Sequence, residues 1–242
     1  MRLGSTSLSV TKPGRKRKRA SGGGLAPGNP VNVTYAYHAY GAGVNVAYIY
    51  WVTSNGYNLL RTITGQQHTG HNIAWSTYTD DLTPYRGTTG KVAWVYYTNS
   101  QTTSSEVLNY TQDVAFDDMK INNYDQANSI QDLSPTSTNT HLGQISNQNS
   151  LPSATSVIST VNTYNTALAS RPNAIKRDPT VAENRRYWNV VQGSTPSSNT
   201  GPDNAANNSN NTYYIMYEAS SGDSTTNNRY EVLTMSNTIT LA

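Results

Sequence analysis

Between residues 31 and 121 apolar side chains recur at every second position in short runs, not at every third or fourth. Val33, Tyr35 and Tyr37 form one such run, and Val44, Val46, Tyr48 and Tyr50 form another after a Gly41-Ala42-Gly43 turn. A period of two places these residues on one face of a half-buried strand. Asn55-Gly56, between apolar stretches at 48–52 and 57–63, is a strong hairpin signal. Further strands are expected around Ile73, Trp75 and Thr77, around Val92, Trp94 and Tyr96, and around Val114 and Phe116. Six short strands in about ninety residues predict a sandwich rather than a parallel α/β sheet.

The pattern then breaks. Residues 122–151 are rich in Asn, Ser, Thr and Pro and read as a long connection. Val157, Val161, Tyr164 and Leu168 fall on one stripe at helical spacing, between Pro152 and Arg171-Pro172, which predicts a helix over 153–169. Residues 173–186 are polar and basic, and 195–211 form a long turn region with few apolar side chains. Strand character returns at 187–191, at Tyr213, Ile215 and Tyr217, at Tyr230, Val232 and Leu233, and at 239–241. Strand material therefore flanks a loop-and-helix insert. Either there are two small domains, or one sandwich is assembled from both ends of the chain.

Composition sharpens this. The chain has 242 residues, of which only 13% are charged; it holds 28 Asn, 32 Thr and 18 Tyr but one Phe. Thr and Tyr suit half-buried pleated surfaces and Asn suits turns, so an all-β, loop-rich protein is expected and a helical bundle is not. The net charge of +3 conceals two parts. Arg2, Lys12, Arg15, Lys16, Arg17, Lys18 and Arg19 give +7 before residue 20, and the remaining ten bases against fourteen acids give −4. Residues 1–30, with Gly22-Gly23-Gly24 and three prolines, read as a basic extended arm suited to phosphate backbones, anionic lipid or an acidic protein surface. There are no cysteines, hence no disulfides or thiolate metal sites, and no apolar run long enough to span a membrane.

Two stretches carry a family resemblance. WNVVQGSTPSSNTGP (188–202) followed by YYIMYEAS (213–220) resembles the first half of a MAM domain, an adhesion module with a jelly-roll, concanavalin-like sandwich. YAYHAYGAG (35–43), Trp75, DLTPYRG (81–87) and DVAFDDM (113–119) are similar to the second half of the same family. The order of the halves is reversed, which implies a circular permutation or strand exchange between copies. The resemblance implies an antiparallel jelly-roll β-sandwich with permuted strand order, one inserted helix and an extended N-terminal arm. Its parts would be 31–121 and 187–242 as two portions of one sandwich, separated by a 122–186 insert, with Leu241 near Val31. The family's usual cysteines are missing, and the arm and insert have no counterpart in it. Cysteine-free, Asn/Thr/Tyr-rich β modules with extended arms are common in bacteriophage virions, and that analogy sets the expected setting.

Candidate chemistry is sparse. His68 and His71 share a loop but have no acid at metal-ligand spacing, and His38 reads as a structural histidine within a strand. Asp80-Asp81 and Asp117-Asp118 are the acid pairs. The resemblance brings Asp117, Asp118 and Glu218 forward as a candidate oxygen-ligand site for Ca2+ or Na+, against turn capping. No nucleophile elbow, phosphate loop or dinucleotide fingerprint is present, so no enzyme and no cofactor are expected. Tyr48, Tyr50, Tyr97 and Tyr214 offer a candidate aromatic contact surface. Lys12, Arg15, Lys16, Arg17, Lys18 and Arg19 are the candidates for docking or phosphate contact. The expected role is a structural bacteriophage virion protein (capsid-associated, neck or tail) that self-associates and meets other virion proteins or packaged DNA. The alternative is a tail-fibre or surface module that binds host carbohydrate or receptor.

Overall fold

A computed structural model describes residues 28–98, 112–124, 130–133, 142–148, 150–159, 187–195, 200–207, 213–218, 229–235 and 237–242. The arm before Gly28 lies outside the described residues. The strands are β1 (Asn32–Ala39), β2 (Val46–Thr53), β3 (Gly56–Thr64), β4 (Ser76–Asp81), β5 (Thr89–Thr98) and β6 (Val114–Asn122). They continue with β7 (Ile130–Asp132), β8 (Leu142–Gln148), β9 (Tyr187–Gln192), β10 (Tyr213–Glu218), β11 (Arg229–Met235) and β12 (Ile239–Thr240). One short helix, α1 (Ala154–Ser159), lies between β8 and β9.

The protein is an all-β, antiparallel sandwich. One sheet runs β4-β1-β6-β10-β9, with β7 also on β6; the other runs β3-β2-β5-β11-β8, with β12 also on β5. The front and back of the chain meet inside both sheets, through Phe116 opposite Ile215 and Val95 opposite Val232. Both sheets thus close within one chain. Asn123 donates its side-chain N–H to the Pro30 carbonyl (2.9 Å), and Ala242 donates its backbone N–H to Tyr124 (2.9 Å). The entry to the sandwich and the end of the chain therefore meet the same segment.

Between the sheets lies an aromatic core in which tyrosine takes the usual place of phenylalanine. Phe116, Trp188, Tyr217 and Tyr96 form a chain of ring contacts with centroids 5.1–5.7 Å apart, tilted or edge-on. Such geometry adds to the burial of large apolar area. Two of the core tyrosine hydroxyls find polar partners: Tyr35 donates to Asp80 (2.8 Å), and Tyr96 accepts the Asn45 N–H (3.0 Å). At the side where β3 and β4 end the two sheets, Arg61 bonds Asp80 (2.7 Å from Nε) and the Thr79 carbonyl (3.1 Å). Asp80 is 4% exposed on its side chain, so removing its cation leaves a buried carboxylate with the Tyr35 hydroxyl alone among these two partners. Arg61→Ala should destabilise the fold by about 2 kcal/mol, less than a fully buried pair would lose because Arg61 is itself a third exposed. Chemical denaturation of the variant measures this directly.

Three sequence expectations change. In β2 the stripe of large alternating residues, Tyr48 and Tyr50, faces outward, and Ala47, Ile49 and Trp51 face the core. The strand expected around Ile73–Thr77 begins at Ser76, because Gln66 and His68 bonds fix the preceding stretch as a loop. The 122–151 connection contains β7 and β8, whose backbones pair with β6 and β11. An edge strand needs backbone pairing on one side only, so β8 forms despite its polar LGQISNQ sequence. Of the predicted 153–169 helix, α1 is the described part; Ser153 caps it through the Ser156 N–H (3.1 Å), and Val157 is buried. Val161, Tyr164 and Leu168 lie outside the described residues.

Candidate functional site

Part of the outer face of the first sheet is covered by the described residues between β9 and β10, 193–195 and 200–207. Gly193 and Gly201 take left-handed conformations (φ 77° and 63°) that turn this segment back across the strands. Thr195 donates its hydroxyl to the Thr200 carbonyl, and Tyr214 donates to the Gly193 carbonyl (2.9 Å). Two buried carboxylates at β6 hold the segment down. Asp113 accepts the Thr200 hydroxyl (2.8 Å), and Asp117 accepts the Ala206 N–H (2.8 Å) and the Asp118 N–H (2.8 Å).

Asp117 points this way because β6 carries a bulge. Ala36 faces Asp117 while Thr34 faces Lys120, so Asp118 and Met119 together oppose Tyr35, with Asp118 at φ 46°. Val114 and Phe116 enter the core before the bulge, and Met119 and Ile121 enter it afterwards. Burial pushes the Asp117 carboxyl up to about 6, against the opposing effect of its two N–H donors.

Beside this lies a layer of histidines. His38 and His68 stack in parallel, with centroids 4.2 Å apart and planes at 10°, and Trp75 lies 5.6 Å from His38. His68 Nδ1 lies 3.1 Å from the Ala39 backbone nitrogen and 3.3 Å from the Ala39 carbonyl oxygen, and its Nε2 lies 3.3 Å from the Ser76 hydroxyl. Burial lowers His38 to about 3, reinforced by His68, and burial lowers His68 as well. At the surface His71 Nδ1 bonds Asp203 Oδ1 (2.8 Å), and Trp75 donates its indole N–H to the Asn204 carbonyl (3.0 Å). His71, Asn72, Ile73, Trp75, Pro202, Asp203 and Asn204 enclose a half-open cleft of about 70 Å3.

No family model, curated protein or solved structure matches this chain. Its chemistry therefore rests on its own geometry.

The acidic residues brought forward by the resemblance occupy different places. Asp117 is 5% exposed and serves the covering segment, whereas the Asp118 side chain is exposed and stands 3.7 Å from Lys120 Nζ. Glu218 pairs with Tyr187 at the far end of β10. Because Tyr217 faces Val114, the Glu218 backbone stands about four residues, or roughly 13 Å, along the strands from Asp117. Among the described residues no three His, Asp or Glu side chains are grouped to hold a metal ion.

The tyrosines divide between the two sheets. Tyr214 is fully buried beneath the covering segment and is not part of an open contact surface. Tyr48, Tyr50 and Tyr97 lie on the outer face of the second sheet, joined there by Tyr57 and Tyr230. Tyr97 and Tyr230 touch at 4.7 Å, and Tyr48 and Tyr50 at 6.0 Å. Helix α1 packs on Val52, Ala93, Val95 and Val232 of this face, and Tyr57 donates to the Pro152 carbonyl (2.7 Å) just before the helix. The arm candidates, Lys12 and Arg15 to Arg19, lie outside the described residues. Trp75, His71 and Asp203 were not singled out as a group by sequence. His71 and Asp203 are 132 positions apart, and the pairing of β1 with β6 and β6 with β10 is what unites them.

Proposed function

We propose that this chain is a structural subunit of a virion, of the bacteriophage type, which works by assembly with its own copies and with other virion proteins. The observation that carries the reading is the half-buried tyrosine row on the outer face of the second sheet, Tyr48, Tyr97 and Tyr230. Tyrosine combines apolar area with a hydroxyl that tolerates water, the composition of a wet subunit contact. The charge distribution supports the same role. A +7 leader and a −4 remainder on one chain make copies mutually attractive, with the arm of one docking on the acidic body of the next.

A permuted MAM-like sandwich fits this reading. Permutation puts the new ends where the two halves were once continuous, so they must lie side by side, and Pro30 and Ala242 both bond the 123–124 segment. The paired variant Tyr48→Ser/Tyr97→Ser should remain folded and lose self-association and incorporation into particles, as read by sedimentation and by particle composition. Wild-type incorporation of that variant would overturn the assembly role. Changing residues 15–19 to alanine should reduce incorporation in the same way; loss of DNA retention with normal incorporation would place the arm on nucleic acid instead.

A further inference from the structure

The geometry points to a second, independent site: the cleft between the 71–75 loop and Pro202-Asp203-Asn204 binds one neutral sugar residue of a glycan. The cleft of about 70 Å3 has more room than a water needs, but it is far below the several hundred Å3 that enclose a whole drug-sized ligand. It therefore takes one branch of a ligand whose remainder stays in solvent. Its lining pairs an apolar wall with a short set of directional polar groups. Trp75, Pro202 and Ile73, which is 43% exposed, supply the wall. Asp203 keeps its second carboxylate oxygen for acceptance, and Asn72 and Asn204 each bring a side-chain amide that both donates and accepts.

That set selects among ligand classes. Among the described residues no lysine or arginine lines the cleft, so phosphate and sulfate groups meet no cation there except a histidine already bonded to a carboxylate. One carboxylate is too few for a hard metal ion, which takes six or more oxygen ligands. A vicinal diol satisfies a carboxylate oxygen and an amide together, and the C–H face of a sugar ring suits the Trp75-Ile73 wall. The walls are also set in advance. The Trp75 indole N–H is fixed on Asn204, its ring meets Tyr214 edge-on at 5.5 Å, and Asp113 and Asp117 hold the covering segment on both sides of Pro202. Preformed walls lower the ordering entropy that a weak ligand has to overcome.

The test uses the full chain and a panel of glucose, galactose, mannose and N-acetylglucosamine, with glucuronate and glucose 6-phosphate as charged controls. Amide and indole N–H shifts are followed by two-dimensional NMR during titration. The expected result is a saturable shift of the Trp75 indole and of residues 71–75 and 203–204 with at least one neutral sugar. Asp203→Asn and Asn72→Ala, both at the surface, should each weaken it about tenfold, the loss of one good hydrogen bond, with the remaining spectrum unchanged. Trp75→Ala is not the deciding variant, because its ring also packs on Tyr214 and His38. The proposal is overturned if no sugar shifts these residues at tens of millimolar. It is equally overturned if the charged controls bind better, if both variants bind like the wild type, or if the shifts fall on the Tyr48 and Tyr97 face. The assembly reading stands or falls separately on its own tyrosine variant.

Discussion

Gly90→Ala should leave little folded protein, with a loss of at least about 4 kcal/mol against the 5–15 kcal/mol that holds a typical domain. A β-carbon at position 90 would lie 2.4 Å from the Val52 carbonyl oxygen and 2.8 Å from two ring atoms of Trp51. Neither neighbour can yield. Val52 is a backbone partner in the β2–β5 pairing, where Gly90 faces Thr53. Trp51 is fully buried, and its indole N–H is held by the Thr88 hydroxyl (2.9 Å). On its other side Gly90 faces Ile239 of β12, so the strand cannot shift sideways without releasing the end of the chain. Gly65 and Gly87 provide the contrast, since a β-carbon at either meets nothing within 4 Å. Their alanine variants should lose only the left-handed backbone penalty, about 1–2 kcal/mol, at φ 71° and 79°. Urea unfolding of the three variants separates crowding from backbone strain. A Gly90→Ala midpoint equal to that of Gly65→Ala would show that β2 and β5 do not approach as closely as described.

How much of this was legible in the sequence depends on which physical effect decides each feature. Period-two runs and a turn residue located β1, β5, β10 and the β2–β3 hairpin, because each is local. The hairpin closes with Thr53 opposite Gly56, so its two turn residues are Ser54-Asn55, one position earlier than a turn centred on Asn-Gly, and of the Asn-Gly pair Gly56 is the one at positive φ (132°). Which face of β2 turns inward was not legible. Both of its faces are apolar, and the outward tyrosines find cover in one another and in the residues around α1. β8 was hidden because its pairing uses backbone groups that every residue carries. The bulge at Asp118 was hidden too, yet it aims Asp117 at the covering segment. The cleft is legible only from tertiary structure, since a loop before β4 meets a loop after β9 across three intervening strands. The resemblance-based grouping of Asp117 with Glu218 assumed that membership of neighbouring strands brings residues together, and the register separates them along the strand direction.

Acid should affect the fold through two buried groups of opposite sign, and the wild type should conceal both. His38 has a folded value of about 3 against 6.5 when unfolded, so the unfolded chain binds its proton first. Its contribution is fully present above pH 6.5 and is lost as pH falls toward 3, about 3 kcal/mol of it by pH 4. His68, lowered by burial, acts in the same direction. Asp117 has a folded value of about 6 against 3.8, so the folded state binds its proton first and stability rises as pH falls from 6 to 3.8, again by about 3 kcal/mol. Asp81 is held below its ordinary value by hydrogen bonds from Thr83 and titrates under this window. Between pH 6.5 and 4 the His38 and Asp117 contributions should therefore largely cancel in the wild type. Asp117→Asn removes the compensating group, and its unfolding free energy should fall by at least about 3 kcal/mol between pH 7 and pH 4, the His38 contribution with that of His68 added. His38→Phe keeps a flat ring against His68 and Trp75 but has no proton to bind, so its stability should rise over the same interval, by less than 3 kcal/mol because His68 still titrates. Denaturant midpoints at several pH values read all three profiles. Parallel profiles would mean that the imidazole stack and the Asp117 carboxyl are open to water, and that residues 193–195 and 200–207 do not seal the outer face of the first sheet.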